Sequence, residues 1–225
     1  MNKRVVIFDL DGTLLNTIQD LGQACNHALH TFGYPTHSAT EYPRMVGNGI
    51  NKLLERALPV EAQTESNVLQ LREVFVPYYL EHCCEQTVPY EGIVEALQLL
   101  KQQGLTLAVA SNKFDDATQK IVHHFFGNIF DAVVGERSDV PRKPNPTIVH
   151  TIVRELGCRV EDVVMYVGDS VVDVETAHNA NVPVCACTWG FVPESQLREQ
   201  AVPLVSSPSD LGLIVQWIEY GFPKP

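Results

Sequence analysis

The sequence predicts a doubly wound α/β sheet with a helical segment inserted after its first strand, on three observations. Short β-branched runs alternate with helical patterns along most of the 225 residues, the signature of buried parallel strands joined by crossover helices. The stretch 17–86 interrupts that alternation with helical spacing and no convincing strand. Four of the runs end in steps rich in Asp, Gly, Ser or Lys, and in open parallel sheets ligands bind beyond the carboxyl ends of the strands.

The strands are expected at Arg4 to Phe8, Leu105 to Ala110, Ala132 to Gly135, Val163 to Val167, Val182 to Ala186 and, more weakly, Val202 to Val205. After the first of them, Ile18, Leu21, Cys25, Ala28, Leu29 and Phe32 fall on one helical face, which Gly33 and Pro35 close. Ser38 with Glu41 has capping-box spacing, Gly47 and Gly49 open another helix, and Val68 to Tyr79 continues a helical pattern toward Cys84. The chain then returns to the α/β pattern near Thr87, with segments around Asn16 and Pro89 as candidate hinges. The expected division is therefore 1–16 with 87–225 for the core and 17–86 for a helical cap. Farther on, Asn145 is placed as the cap of a helix opening on Pro146 and stopped by Gly157.

The bulk properties exclude several functions. A formal net charge of −11 with 45% hydrophobic residues describes a globular protein without the clustered basic surface that nucleic-acid binding needs. The apolar run after Lys3 and Arg4 stops at Asp9, too short for a signal-peptide core or a membrane span, so a cytoplasmic protein is expected. The six cysteines show neither CxxC pairs nor metal-ligand spacing and read as buried small hydrophobes, with Cys185 and Cys187 on one strand face. Monomer and homodimer both remain open.

Each of the four strand ends has a chemical and a plain structural reading. Asp9-Leu10-Asp11-Gly12-Thr13 places two carboxylates where mutual repulsion calls for a cation, and Mg²⁺ suits such an oxygen site; a turn is the alternative. Ser111-Asn112-Lys113 offers a hydroxyl and backbone N–H groups to a phosphoryl oxygen, or simply a strand-to-helix turn. Lys143, between Arg142 and Pro144, offers a fixed ammonium beside developing negative charge, or an exposed basic loop. Asp169 at the fourth strand tip and Asp173 one helical turn later face the same side, or only complement a helix dipole. All four occur in one chain, in an order that builds an acidic cluster with one lysine.

These four segments resemble the four sequence motifs of the haloacid dehalogenase-like hydrolase superfamily, and the helical insert resembles that family's cap. The resemblance implies a Rossmann-like core and a Mg²⁺-dependent phosphatase acting on a small phosphorylated metabolite. Asp9 would be the nucleophile and Asp11 the general acid and base, since the family's dehalogenases lack an aspartate at that position. Mg²⁺ would be held by Asp9, the backbone carbonyl of Asp11, and Asp169. Ser111 and Lys143 would hold phosphoryl oxygens, Asp173 would orient Lys143 or water, and Thr13 would brace the nucleophile loop beside the substrate.

Met45-Val46-Gly47-Asn48-Gly49 and Thr188-Trp189-Gly190 resemble the phosphoglycolate phosphatase group, which implies 2-phosphoglycolate as substrate. Arg44, Asn48 and Asn51 are the cap's polar candidates for reading the leaving group, with Asn112 completing the substrate set. Sugar phosphates, nucleotides or pyrophosphate as substrates, and a sugar phosphomutase, stand as alternatives. A signalling receiver domain uses a similar acidic cluster but has no helical insert.

Overall fold

The computed structural model describes residues 3–221, so the ends of the expected core, 1–2 and 222–225, lie outside it. Strand β1, Val5–Phe8, is buried along its whole length: Val6 and Phe8 enter one apolar cluster, and Val5 and Ile7 enter a second on the opposite face. Burial on both faces is why this strand reads as a continuous apolar run.

The chain then makes a two-residue strand β2, Leu15–Asn16, and the helix α1, Ile18–Thr31. A 3-10 turn at Tyr42–Arg44, helix α2, Ile50–Ala57, and helix α3, Glu65–His82, follow. The strand β3, Val88–Pro89, runs antiparallel to β2, so the two crossings between the helices and the sheet lie side by side where the sequence predicts hinges. The buried carboxylate of Asp20 ties them further, accepting the backbone N–H groups of Gln86 at 3.0 Å and Thr87 at 2.8 Å. Leu21, Cys25, Leu53, Leu71 and Phe75 form the apolar side of this helical layer, in a cluster continuous with Phe8 of the sheet and Leu10 just beyond it.

The remaining elements alternate. Helix α4, Ile93–Gln102, leads to β4, Thr106–Phe114; α5, Asp115–Phe126, to β5, Ala132–Glu136; and α6, Thr147–Glu155, to β6, Val163–Gly168. Helix α7, Val171–Asn179, then β7, Val184–Cys187, α8, Glu194–Arg198, β8, Leu204–Val205, and α9, Leu213–Tyr220, complete the chain. Six strands form one parallel sheet in the order β5-β4-β1-β6-β7-β8. Phe8 at the end of β1 is level with Val109 of β4 on one side and Val167 of β6 on the other. The residues that follow these three positions therefore emerge together at the point where the winding reverses, which is where such sheets bind ligands.

Some local expectations shift. Ser111, Asn112 and Lys113 do not form a turn: β4 runs through them to Phe114, with an irregular register against β5 between Ala110 and Phe114. That extension points Ser111 and Lys113 inward together. Helix α6 starts one residue later than expected, although the Asn145 side chain still accepts the Thr147 N–H at 3.0 Å. Ser38 and Glu41 do bond, but only the short turn with Pro43 follows, because a proline has no N–H to carry the ladder. Cys25, Cys83, Cys185 and Cys187 are buried, whereas Cys84 and Cys158 are only half-buried. Among the described residues no helix is long and apolar enough to cross a membrane.

Candidate active site

A cavity lies between the carboxyl edge of the sheet and the helical layer. Asp9, Asp11, Ser111, Asn112, Lys113, Lys143 and Asp169 line it from below, and Asn48, Phe75 and Tyr79 are among those that cover it. Asp9 continues directly from β1, its N–H donating to Val167 O at 2.9 Å, so the strand fixes its backbone at the switch point. Its carboxylate meets the Lys143 ammonium at 2.8 Å.

Lys143 is held from all sides. Its three N–H bonds are accounted for by Asp9 Oδ1, Asp173 Oδ1 at 2.8 Å and Ala110 O at 3.0 Å. The Asn112 carboxamide clamps its peptide unit, accepting Lys143 N–H at 2.8 Å and donating to Lys143 O at 3.2 Å. Burial works against the ammonium, but Asp173 and Asp9 outweigh it and hold its pKa well above the usual lysine value. Asp173 spends its other oxygen on the Ser170 N–H and hydroxyl, in a capping box that starts α7. One residue thus caps a helix and fixes the lysine.

Asp169 sits opposite, accepting from the Thr13 hydroxyl at 3.2 Å and from Phe191 N–H at 2.8 Å. The backbone crowds it: a Cβ on Gly12 would lie 2.3 Å from its carboxylate, and one on Gly190 would lie 2.2 Å from its Cβ. Gly12 also has φ +89°, in the left-handed region. The Trp189 indole N–H, bonded to Thr13 O at 3.0 Å, pins the Gly190 loop to this turn. Gly190→Ala is therefore expected to displace Asp169 and to lower turnover about 100-fold, since a shift of about an ångström has that scale of effect. Steady-state rates with a urea titration check this; unchanged turnover in a folded variant would contradict it.

Several residues expected at the site stand elsewhere. Thr13 is fully buried behind Asp169, to which its hydroxyl donates, and is not among the cavity-lining residues. Asp173 likewise lies behind the wall, outside the lining, with one oxygen on Lys143 and the other on Ser170. Asn112 does line the cavity, but its carboxamide is taken by Lys143. Arg44 is exposed and outside the lining, because the 3-10 turn presents Pro43 to the cavity instead. Asn51 accepts a bond from Arg72 at 2.8 Å and is also outside the lining, while Asn48 is in it.

Sequence reasoning missed Lys113 and Tyr79 as site residues. Lys113 Nζ lies 2.9 Å from Asp11 Oδ2 and 2.8 Å from the Tyr79 hydroxyl. Inward alternation after Ser111 along an extended β4 was the available signal for Lys113; nothing local marks Tyr79.

Side-chain oxygens of Asp9, Asp169 and Asp173 lie within 4.8 Å of one another, all three residues buried. Burial, reinforced by Asp173, raises the pKa of Asp169 to about 7 against the pull of Phe191 N–H, Lys143 and Thr13. Burial, with Asp173 and Asp169 in support, also raises that of Asp9 well above the ordinary aspartate value despite Lys143. Three crowded carboxylates facing one ammonium fit a hard dication, which would relieve both the desolvation and the repulsion. Asp11 brings no side-chain oxygen to this cluster, because its carboxylate is turned to Lys113.

Comparisons with known proteins identify the family. Residues 6–187 match the model of the haloacid dehalogenase-like hydrolases. The chain belongs to that family. It is 33% identical over 210 residues to a phosphoglycolate phosphatase of Aquifex aeolicus, covering 92% of this chain and 94% of the relative. A phosphoglycolate phosphatase of Haemophilus influenzae is 32% identical over 203 residues, covering 87% and 90%. Among solved structures, a predicted phosphoglycolate phosphatase from Haemophilus somnus superposes with a TM-score of 0.85 at 29% identity, covering 96% of this chain and 99% of that one.

Proposed function

We propose that this phosphoric monoester hydrolase cleaves 2-phosphoglycolate, in the cytoplasm, through an aspartyl-phosphate on Asp9. The observation that carries the reading is the placement of Asp9 at the cavity floor, paired with Lys143 and crowded by Asp169, with Asp11 on the same wall. Curated relatives of nearly equal length that are phosphoglycolate phosphatases support the choice of substrate. The helices of 17–86 act as the cap that covers bound substrate, with the paired β2 and β3 as its hinge.

In the first step an Asp9 oxygen attacks phosphorus, the bond from phosphorus to the leaving oxygen breaks, and Asp11 donates its proton to that oxygen. In the second, Asp11 takes a proton from water as the water oxygen attacks the phosphoryl group, releasing inorganic phosphate and restoring Asp9. Lys143, with every N–H already fixed, acts as a preorganised charge beside Asp9. The Ser111 hydroxyl accepts from Lys113 N–H at 3.2 Å, and its own proton is available for a phosphoryl oxygen. Mg²⁺, held through Asp9, Asp169 and the carbonyl of Asp11, would offset charge on the transferring phosphoryl group.

Phosphate release from 2-phosphoglycolate, sugar phosphates, nucleotides and pyrophosphate tests this reading, comparing the wild type with Asp11→Asn. The expected result is a strong preference for 2-phosphoglycolate and a loss of about 10²- to 10⁴-fold in the variant. Preference for another ester would replace the substrate while keeping the chemistry. Undiminished turnover by Asp11→Asn would remove the acid and base assignment.

A further inference from the structure

Lys113 and Tyr79 come from opposite walls of the cavity, one from β4 and one from α3, and meet inside it. Both are almost wholly buried, with the lysine side chain 3% exposed and Tyr79 at 0%. The ammonium also lies 4.6 Å from the centre of the Tyr79 ring. Burial keeps the phenol neutral, so its O–H remains a donor.

The hydrogen bonds leave two protons over. Lys113 Nζ donates to Asp11 and to the Tyr79 oxygen; its third N–H and the Tyr79 O–H proton have no acceptor among the described residues. Two buried donors, one of them charged, in a cavity whose lining also includes Phe75, Leu53 and Ile50, make a subsite for a compact anion. Its position follows from Asp11. The acid must come within about 3 Å of the leaving oxygen, and Lys113 Nζ is 2.9 Å from the acid's Oδ2, so the ammonium stands within about 8 Å of that oxygen whichever carboxylate oxygen carries the proton. A carboxylate on the carbon next to the leaving oxygen reaches it; a neutral substituent there leaves both donors unpaired.

We propose that Lys113 and Tyr79 form the subsite that reads a carboxylate on the leaving alcohol, a role for which the sequence offers Arg44, Asn48 and Asn51 as candidates. The pair sets the preference of the enzyme for anionic over neutral small esters, and joins cap to core when the anion binds. This rests on the phosphatase reading above.

The test is the ratio of kcat/KM for 2-phosphoglycolate to that for 2-hydroxyethyl phosphate, in wild type, Tyr79→Phe and Lys113→Met. We expect a wild-type ratio of about 100 or more, since buried donors left unpaired by the neutral ester are strongly discriminating. Tyr79→Phe is expected to lower the ratio about 10-fold, mainly through KM for the carboxylated ester, while keeping the ring in place. Lys113→Met is expected to bring it near 1. It will also slow both esters, because Lys113 holds Asp11; only the ratio isolates recognition.

An unchanged ratio in both variants, with turnover of the two esters falling together, would overturn the proposal and leave Lys113 as a support for Asp11. A wild type that hydrolyses both esters equally would overturn it while the phosphatase reading stands. Hydrolysis of neither would remove 2-phosphoglycolate as the substrate and the proposal with it, while release from another ester in the panel would keep the phosphatase chemistry. Should Lys113→Met not fold, Tyr79→Phe decides.

Discussion

Asp9→Asn should abolish turnover, by about 10⁴-fold or more, and yet yield a metal-free protein that is more stable than wild type at pH 8. The first effect follows from the loss of the attacking oxygen, for which nothing else on the cavity floor substitutes. The second follows from linkage. Burial, Asp173 and Asp169 raise the Asp9 pKa above the ordinary 3.8, with Lys143 only partly opposing them. The folded state therefore holds the Asp9 proton over a pH range in which the unfolded chain has released it. That contribution to stability is complete below pH 3.8 and is lost as pH rises through the raised value.

An amide keeps the shape and the bond to Lys143 without the charge. Thermal melts in EDTA should show the variant gaining on wild type from pH 4 to pH 8, with Mg²⁺ restoring the wild type selectively. Equal melting temperatures at pH 8, or residual turnover near the wild-type rate, would contradict the site as described.

Lys143→Met should destabilise the metal-free protein by about 3–5 kcal/mol at pH 8, the usual cost of removing one partner from a buried ion pair. The lysine and Asp173 side chains are 3% and 0% exposed, so water cannot take over the lost bonds. Ala110 O and Asp173 Oδ1 both lose a donor, and three clustered carboxylates lose their one ammonium. The deficit should shrink toward pH 5 as Asp9 and Asp169 take up protons in its place, a trend that loss of aliphatic packing would not produce. Turnover should fall about 10³-fold through the missing charge beside the phosphoryl group.

Lys143→Arg should not rescue it, because a planar fork does not fit a slot built for three converging bonds. Adding Asp9→Asn to Lys143→Met should recover part of the stability, since the two residues share one contact. Urea titrations at the two pH values, in EDTA, provide the check.

The two variants probe residues that were legible in the sequence, and the reason they were legible is local. Asp9 and Asp169 each lie just beyond a strand and Lys143 lies in the proline-flanked turn before α6, and strands announce themselves through β-branched runs bounded by turn formers. The parallel sheet follows from the alternation of such runs with helices, and a parallel sheet places strand ends on one edge. Reading along the chain is enough to gather these groups, although not to say how each is oriented. Thr13 and Asp173 illustrate the limit: both are close to the right place, and both face Asp169 or Lys143 from behind the cavity wall.

The helical layer was less legible, because its contribution depends on how it docks. Arg44 and Pro43 are neighbours in sequence, and only the course of a single 3-10 turn sends one to solvent and the other to the cavity. Lys113 and Tyr79 are 34 residues apart, on different layers, and no periodicity relates them. Asp20, which ties α1 to the returning chain 66 and 67 residues later, was equally unmarked.

By itself the sequence determined the strand and helix order, the insertion after β1, and the acidic chemistry at the strand ends, because those depend on patterns within about ten residues. Only the tertiary structure decided which carboxylates gather around Lys143 and which faces Lys113, which residues stand behind the wall, and which side chains of the helical layer line the cavity. Those choices are set by contacts between segments far apart in the chain, where a difference of one position along a turn reverses the direction of a side chain.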